Sequence, residues 1–369
     1  MVQSPPGLSI MIKLSFLQLM IRLYHNAWLL SRDSLTRAEF YDKIYIIYYL
    51  GRKMGNKIKI LAVVGPTASG KSALAIELAR TLDGEIVCCD SMQIYRKMNI
   101  GTAAPTAEEK RAVRHRLFGF RDPVKPYSCS DYAKSAGRVI RDIAGRGKLP
   151  IICGGTGLYL DSLLFGVGGG GSEPDLEYRA ELEKFAQANG VDALHKMLED
   201  IDPEAASAIH KNNVRRVIRA LEICRNGGTK TEKDKKARQK GMRYDACVIG
   251  LRYADRAKLA DRIDRRIGKM LEAGLVEETR ELLASGVFEA NATAAQAIGY
   301  KEILPYINGE CSLSESREKL LFATRKYAKR QMTWFSAKPY VNFIECDGIE
   351  NEEIYKKIVK NALDIFQKS

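Results

Sequence analysis

The sequence predicts an α/β protein built on a parallel sheet flanked by helices, with an inserted all-helical domain. Apolar runs at residues 57–64, 84–91, 149–157 and 246–251 alternate with helix-forming stretches, as parallel strands and their crossover helices do. Residues 168–171 are four glycines, followed by Ser-Glu-Pro, which indicates a hinge or linker. Residues 175 to about 225 then have helical patterns, broken near residues 202–203 and 211–213. This helical segment therefore lies between two predicted strands along the sequence.

The first apolar run leads into a phosphate-binding loop of the P-loop NTPase type. The G-x-x-x-x-G-K-[ST] pattern is matched in full by Gly65, Pro66, Thr67, Ala68, Ser69, Gly70, Lys71 and Ser72. A strand, a glycine loop and a helix N-terminus aim backbone N–H groups and a helix dipole at one point. Lys71 adds a charge for the terminal phosphate, and the Ser72 hydroxyl suits Mg²⁺. The loop predicts a diphosphate or polyphosphate ligand with Mg²⁺.

Composition narrows the class of partner. A formal net charge of +14 on 369 residues favours a polyanion, with nucleic acid ahead of an acidic membrane. The eight cysteines form no C-x-x-C pair, so we expect neither a zinc site nor a disulfide framework, and we expect a cytoplasmic protein. The apolar run at residues 14–21 is bracketed by Lys13 and Arg22 and is too short to span a bilayer, so no membrane partner is expected.

Four segments are predicted along the chain. Residues 1–53 are expected to be an extension outside the fold, with Met54 a sensible start for the domain. Residues 54–171 form the first part of the P-loop core, 172–245 the helical insertion, and 246–369 the rest of the core with helices to the end. Residues 225–243 resemble a loop with eight Lys/Arg against two acids, either solvated or in contact with phosphate.

The predicted strands bring further polar residues to the phosphate loop. Ligands of parallel sheets bind at the carboxyl ends of the strands, where Asp90 and residues 154–157 also lie. A phosphate loop argues first for an ATP- or GTP-using enzyme, in which Asp90 would hold Mg²⁺. An ATP-dependent small-molecule or nucleoside kinase therefore remains an alternative. A GTPase-like RNA-binding switch would need a guanine-reading Asn-Lys-x-Asp motif, which the sequence lacks.

The residues after Asp90 carry a more specific resemblance. Asp-Ser-Met-Gln-Ile-Tyr-Arg at 90–96 and Asn-Ile-Gly-Thr-Ala at 99–103, with residues 65–72, resemble the tRNA dimethylallyltransferases, or tRNA isopentenyltransferases. Further matches follow in family order at 154–159, 209–222, 296–301 and 329–334. The resemblance covers about residues 56–345, and the chain resembles the bacterial type of the family.

The resemblance implies a reaction and site residues. The dimethylallyl group of dimethylallyl diphosphate passes to the exocyclic amine of the adenosine 3′ of the anticodon, in tRNAs that read codons beginning with U. It implies Asp90 and Thr156 as catalytic residues and a monomer bound to the anticodon stem-loop. The implied tRNA contacts are Asp90, Ser91, Met92, Gln93, Thr156, Arg179, Arg215, Arg216, Arg219, Gln296, Gly299, Tyr300, Lys301, Lys329, Arg330, Gln331 and Trp334.

Chemistry supports these roles but leaves alternatives open. An adenine amine is a weak nucleophile, so a carboxylate that takes its proton assists by roughly 10²–10⁴-fold. Asp90 fits that role, with a metal ligand or helix cap as the alternative, and the Gln93 amide suits an adenine edge. The arginines of 215–219 suit phosphates or a solvated helix, and Trp334 suits base stacking or the core. Ala104, Asn213 and Ser336 depart from the family pattern, where Lys, Asp and Arg are usual.

Overall fold

A computed structural model describes residues 57–168 and 175–369, and it confirms the parallel sheet. The six strands are β1 (Lys59–Val64), β2 (Gly84–Cys88), β3 (His115–Arg116), β4 (Leu149–Gly154), β5 (Asp245–Arg252) and β6 (Val341–Glu345). They are ordered β3-β2-β4-β1-β5-β6, and every neighbouring pair is parallel. The four apolar runs of the sequence are β1, β2, β4 and β5.

The register of the central strands brings the polar segments together. All residues of β2 and β4 are buried, which explains why these strands are continuous apolar runs in the sequence. Val64 pairs with Gly154, and Cys88 pairs with Cys153. The phosphate loop, Asp90 and Thr156 therefore leave the sheet at the same edge.

Fourteen α-helices and one 3₁₀ turn lie in the part of the chain that the structure describes. They are α1 (Lys71–Thr81), α2 (Ala107–Ala112), α3 (Cys129–Gly145), α4 (Gly157–Phe165), α5 (Leu176–Ile201), α6 (Pro203–Ala208), α7 (Val214–Arg225), α8 (Lys230–Gln239), α9 (Arg256–Glu272), α10 (Leu275–Ala284), α11 (Val287–Ala290), the 3₁₀ turn Ala294–Gln296, α12 (Tyr300–Ile307), α13 (Leu313–Ser336) and α14 (Glu352–Lys368). None of these helices has the length and apolar character needed to cross a membrane.

Three apolar clusters build the core of residues 57–168 and 175–369. One packs α3 and α4 on the sheet, where the rings of Tyr132 and Tyr159 stack at 4.3 Å. A second joins the segment after β2 to α9, α10, α12 and α13. The third lies within α5, α6 and α7 and is centred on Leu194 and Leu221. The helical insertion therefore has an apolar cluster of its own, while residues Gly55–Ser369 group as one compact unit.

Two predictions about local structure are wrong. Residues 225–243 are not a loop throughout, because Thr229 and Glu232 form a capping box and α8 follows. Helices do not continue to the end, because β6 pairs with β5 at the sheet edge. Pairing with β5, which the local sequence does not show, makes this short segment a strand. The extension at 1–53 and the linker after Gly168 lie outside the described residues.

Candidate functional site

The phosphate loop joins β1 to α1 through backbone conformations that its sequence permits. Gly65 has φ of 148°, and a Cβ there would lie 2.9 Å from the Leu251 carbonyl oxygen, so only glycine fits. Gly70 lies in the left-handed region at the N-cap of α1. The loop thus directs the first turn of an 11-residue helix at a cavity of about 390 Å³, which Thr67, Lys71 and Ser72 line. This is the geometry of an anion site.

Two cations face the cavity side by side. Burial, followed by the charge of Arg266 from α9, lowers the pKa of Lys71 to about 8, while its Nζ donates to the Pro66 carbonyl oxygen at 3.1 Å. Burial also lowers the pKa of Arg266, and the Asp90 charge opposes that shift. Neither cation forms an ion pair among the described residues. A diphosphate entering here would neutralise both charges.

Arg266 could not be found from the sequence. It lies in α9 among several arginines whose spacing fits an ordinary amphipathic helix, and only the fold brings it beside Lys71. Its Nη2 donates to the Thr102 carbonyl oxygen at 3.4 Å. Tyr327 of α13 also lines the cavity without having been predicted, and burial raises the pKa of its hydroxyl.

Asp90 follows β2 and organises the turn that carries the predicted recognition segment. Its Oδ1 accepts from the backbone N–H groups of Met92 at 2.9 Å and Gln93 at 3.4 Å. Asp90 therefore caps this turn and lines the cavity at the same time. Its second carboxylate oxygen accepts no hydrogen bond from a described residue.

Thr156 fixes the neighbouring strand end to the same turn. Its Oγ1 accepts from the Ser91 N–H at 3.0 Å, and its N–H donates to the Cys89 carbonyl oxygen at 3.1 Å. A Cβ at Gly154 would lie 2.1 Å from that carbonyl oxygen, so glycine is required where β2 and β4 end. The structure thus links Thr156 to both chain neighbours of Asp90, although Thr156 is not among the residues that line the cavity.

Gln93 lines the cavity but already uses its amide nitrogen. Nε2 donates to the carbonyl oxygens of Thr102 at 2.9 Å and Ala103 at 3.0 Å. The predicted bidentate contact with an adenine edge would require these two hydrogen bonds to break. The contact stays a prediction, and in this structure Gln93 anchors the loop that precedes α2.

Most of the remaining predicted tRNA contacts fall into three groups. Ser91, Met92, Gln296, Lys301 and Arg330 line the cavity, as Gln331 does. Arg215, Arg216 and Lys329 lie exposed on α7 and α13. Gly299 and Tyr300 are buried, and the Tyr300 hydroxyl donates to Glu278 at 2.7 Å. In this structure both residues are packed inside the fold, and their contact with tRNA stays a prediction.

Gln331 links the phosphate loop to the end of β4 through two hydrogen bonds. Its Oε1 accepts from the Thr67 N–H at 2.8 Å, and its Nε2 donates to the Gly155 carbonyl oxygen at 3.0 Å. The residue is 5% exposed, so both hydrogen bonds are shielded from water. Trp334, one turn along α13, packs on Gly157 with Lys338 4.7 Å above its ring. These side chains tie α13 to the phosphate loop.

Arg179 and Arg219 have an ionic partner that the sequence did not reveal. Both donate to the carboxylate of Glu222, which is 0% exposed in α7. Burial raises the pKa of Glu222, but the hydrogen bonds from both arginines outweigh it and hold that pKa below its usual value. In this structure these two arginines neutralise a buried acid, whereas Arg215 and Arg216 remain free for phosphates.

Few protein oxygen atoms in the site could coordinate a metal ion. Among the described residues no cluster of three or more His, Cys, Asp or Glu side chains could hold an ion. The Ser72 hydroxyl and the Asp90 carboxylate both line the cavity. This set suits Mg²⁺, which binds through one or two protein oxygens together with substrate phosphates and waters.

Comparison with known proteins gives the family. The IPP transferase family model matches residues 93–338, and the isopentenyl transferase model matches residues 58–121. A tRNA dimethylallyltransferase of Thermoanaerobacter sp. (strain X514) is 43% identical over 308 residues, which are 82% of this chain and 97% of that protein. One from Bacillus mycoides is 45% identical over 301 residues, covering 81% of this chain and 94% of the relative.

Solved structures of related proteins indicate the same family. The full-length tRNA isopentenylpyrophosphate transferase of Bacillus halodurans matches with a TM-score of 0.61 and 40% identity, over 85% of this chain and 99% of that one. A eukaryotic dimethylallyltransferase acting on tRNA matches with a TM-score of 0.69 and 28% identity, over 82% of this chain and 78% of that one. The kinase alternative gains no support from these comparisons. The chain therefore belongs to the IPP transferase family, as a relative of the bacterial tRNA dimethylallyltransferases.

Proposed function

We propose that this enzyme transfers the dimethylallyl group of dimethylallyl diphosphate to the exocyclic amine of the adenosine 3′ of the anticodon, in tRNAs that read codons beginning with U. One observation carries the proposal. A single cavity holds two unpaired cations, Lys71 and Arg266, next to the carboxylate of Asp90. The cations suit a departing diphosphate, and the carboxylate suits a proton acceptor. The family membership supplies the class of substrate.

The chain's own groups divide the work between leaving group and nucleophile. Loop N–H groups, Lys71 and Arg266 bind the diphosphate and stabilise the charge that develops as the carbon–oxygen bond breaks. The adenine nitrogen forms the new bond to the allylic carbon, and Asp90 takes the proton that this nitrogen loses. The products are N6-isopentenyladenosine, diphosphate and a protonated Asp90. The Ser72 hydroxyl would hold Mg²⁺, which would further neutralise the charge of the diphosphate.

The cavity also constrains how the base arrives. The target adenosine lies within an anticodon loop, so it must turn out of the loop stack to reach Asp90. Gln93 lines the cavity beside the carboxylate, and Thr156 holds the backbone N–H of Ser91 next to it. The exposed arginines of α7 suit the phosphates of the anticodon arm. We infer that the helical insertion, residues 172–245, covers that arm.

Labelled co-substrates test the function directly. The enzyme is incubated with tRNA and either labelled dimethylallyl diphosphate or labelled ATP, with Lys71→Ala as the matched control. Prenylated adenosine in digested tRNA, lost in the control, is the expected result. Label transfer from ATP without prenylation would instead establish the kinase. Loss of the modified nucleoside from tRNA of cells that lack the protein tests the same function in vivo.

A further inference from the structure

A second groove lies at the edge of the sheet opposite the phosphate loop. Its volume is about 890 Å³, and Lys57 and Tyr244, which precede β1 and β5, form one wall. The other wall is α3, which runs toward this edge before it leads into β4. β1 is six residues long, so roughly 20 Å of strand separates the two edges. The groove is therefore distinct from the cavity that holds Asp90.

The groove concentrates positive charge without any acid. Five cationic side chains line it, and each of these residues is exposed. They are Lys57, Lys134, Arg138, Arg141 and Arg243. No carboxylate lines the groove, and none of the five forms an ion pair with a described residue. The nearest acid in sequence, Asp142, pairs instead with Arg116 and Arg146. Such a cluster repels itself unless an anion binds.

The shape of the groove suits an extended polyanion. Ser130, Ala133 and Gly137 form a floor of small side chains along one face of α3. Gly137 lets the Tyr244 hydroxyl approach, because a Cβ there would be 3.2 Å away. Along the same face Lys134 and Arg141 stand seven residues apart, which is roughly 10 Å of helix. A polyanionic backbone that runs along this face would therefore meet a cation near each end of it.

We propose that this groove binds the phosphodiester backbone of the tRNA body, outside the anticodon loop that enters the cavity. Arginine forks bind phosphate bidentately, and the floor of small side chains offers no stacking surface for bases. The contact is therefore independent of base sequence and adds affinity rather than chemistry. The proposal rests on the proposed function only in taking tRNA as the RNA.

The test removes charge from the groove and compares two RNAs. The triple variant R138Q/R141Q/R243Q is matched by K357Q/K360Q/K368Q on α14, which removes the same net charge from exposed lysines elsewhere. Affinity for full-length tRNA and for an isolated anticodon stem-loop is measured across a salt series, with kcat at saturating tRNA. The double variant R138Q/R141Q keeps the Arg243 packing intact, should the triple variant fold poorly.

We expect the groove variant to bind full-length tRNA at least about tenfold more weakly at low salt, with a log–log salt slope reduced by about two to three. Its kcat, and its affinity for the stem-loop, should equal those of the wild type. An unchanged salt slope would overturn the proposal, and so would an equal loss with the α14 control. Equal weakening for the stem-loop would overturn the placement on the tRNA body. Because binding is measured without dimethylallyl diphosphate, failure to prenylate tRNA would refute the proposed function and leave this result standing.

Discussion

Asp90→Asn is the sharpest perturbation of the site. The two backbone N–H groups that Asp90 caps can donate equally to an asparagine Oδ1, at the same 2.9 and 3.4 Å positions. The turn should therefore keep its shape, while the side chain can no longer accept a proton. We expect the single-turnover rate to fall by roughly 10²–10⁴-fold, equivalent to about 2.7–5.4 kcal/mol in the activation free energy.

The charge of Asp90 has a second effect, which the assay must separate from the first. The Asp90 carboxylate helps to keep Lys71 protonated, so its removal should push the pKa of Lys71 below its value of about 8. At high pH the variant would then lose diphosphate affinity for an indirect reason. Rates and affinities are therefore compared near pH 6.5, which is well below the Lys71 pKa of about 8.

Two measurements on this one variant decide the role. Single-turnover transfer from labelled dimethylallyl diphosphate gives the chemical step, and a non-hydrolysable dimethylallyl diphosphate analogue with Mg²⁺ gives binding. A fall in rate with nearly constant analogue affinity is the expected result. If affinity for the analogue and for Mg²⁺ falls in step with the rate, Asp90 is a metal-holding acid and our reasoning is wrong. Asp90→Ala is the control that should also lose the turn and melt at lower temperature.

Three further predictions follow from neighbouring residues. Lys71→Ala should abolish turnover while tRNA still binds. The affinity of the wild type for a dimethylallyl diphosphate analogue should fall about tenfold per pH unit above the Lys71 pKa of about 8, because only the charged amine binds the diphosphate. Lys71→Met should show no such fall, and a parallel decline in both titrations would contradict this prediction. Arg216→Glu should flatten the salt dependence of tRNA binding without changing stability. Arg219→Glu should lower the free energy of unfolding by about 3–5 kcal/mol, because it deprives the buried Glu222 of a partner. Equal stabilities of the two variants in urea would refute this distinction. Gln331→Ala should lower the free energy of unfolding by about 2–3 kcal/mol and weaken diphosphate binding, since it leaves the Thr67 N–H and the Gly155 carbonyl unpaired. An unchanged urea midpoint would show that water replaces these two hydrogen bonds.

Sequence alone determined the parts of this protein that depend on local rules. The phosphate loop follows from glycines that permit its backbone, and its position between a buried strand and a helix is written in consecutive residues. Parallel strands end at a common edge, so the strand pattern is enough to predict that Asp90 and the end of β4 lie near the loop. The family motifs then indicated the chemistry.

Tertiary structure decided whatever depends on partners distant along the chain. Arg266 reaches Lys71 only because α9 packs beside the loop, and nothing in the spacing of its arginines distinguishes it. Arg219 resembled Arg216 in the sequence, yet the fold buries Glu222 next to one of them and leaves the other in solvent. Exposure and ion pairing are properties of packing. A linear pattern of charges therefore predicts that RNA will be bound, but the folded chain decides which of those charges are free to bind it.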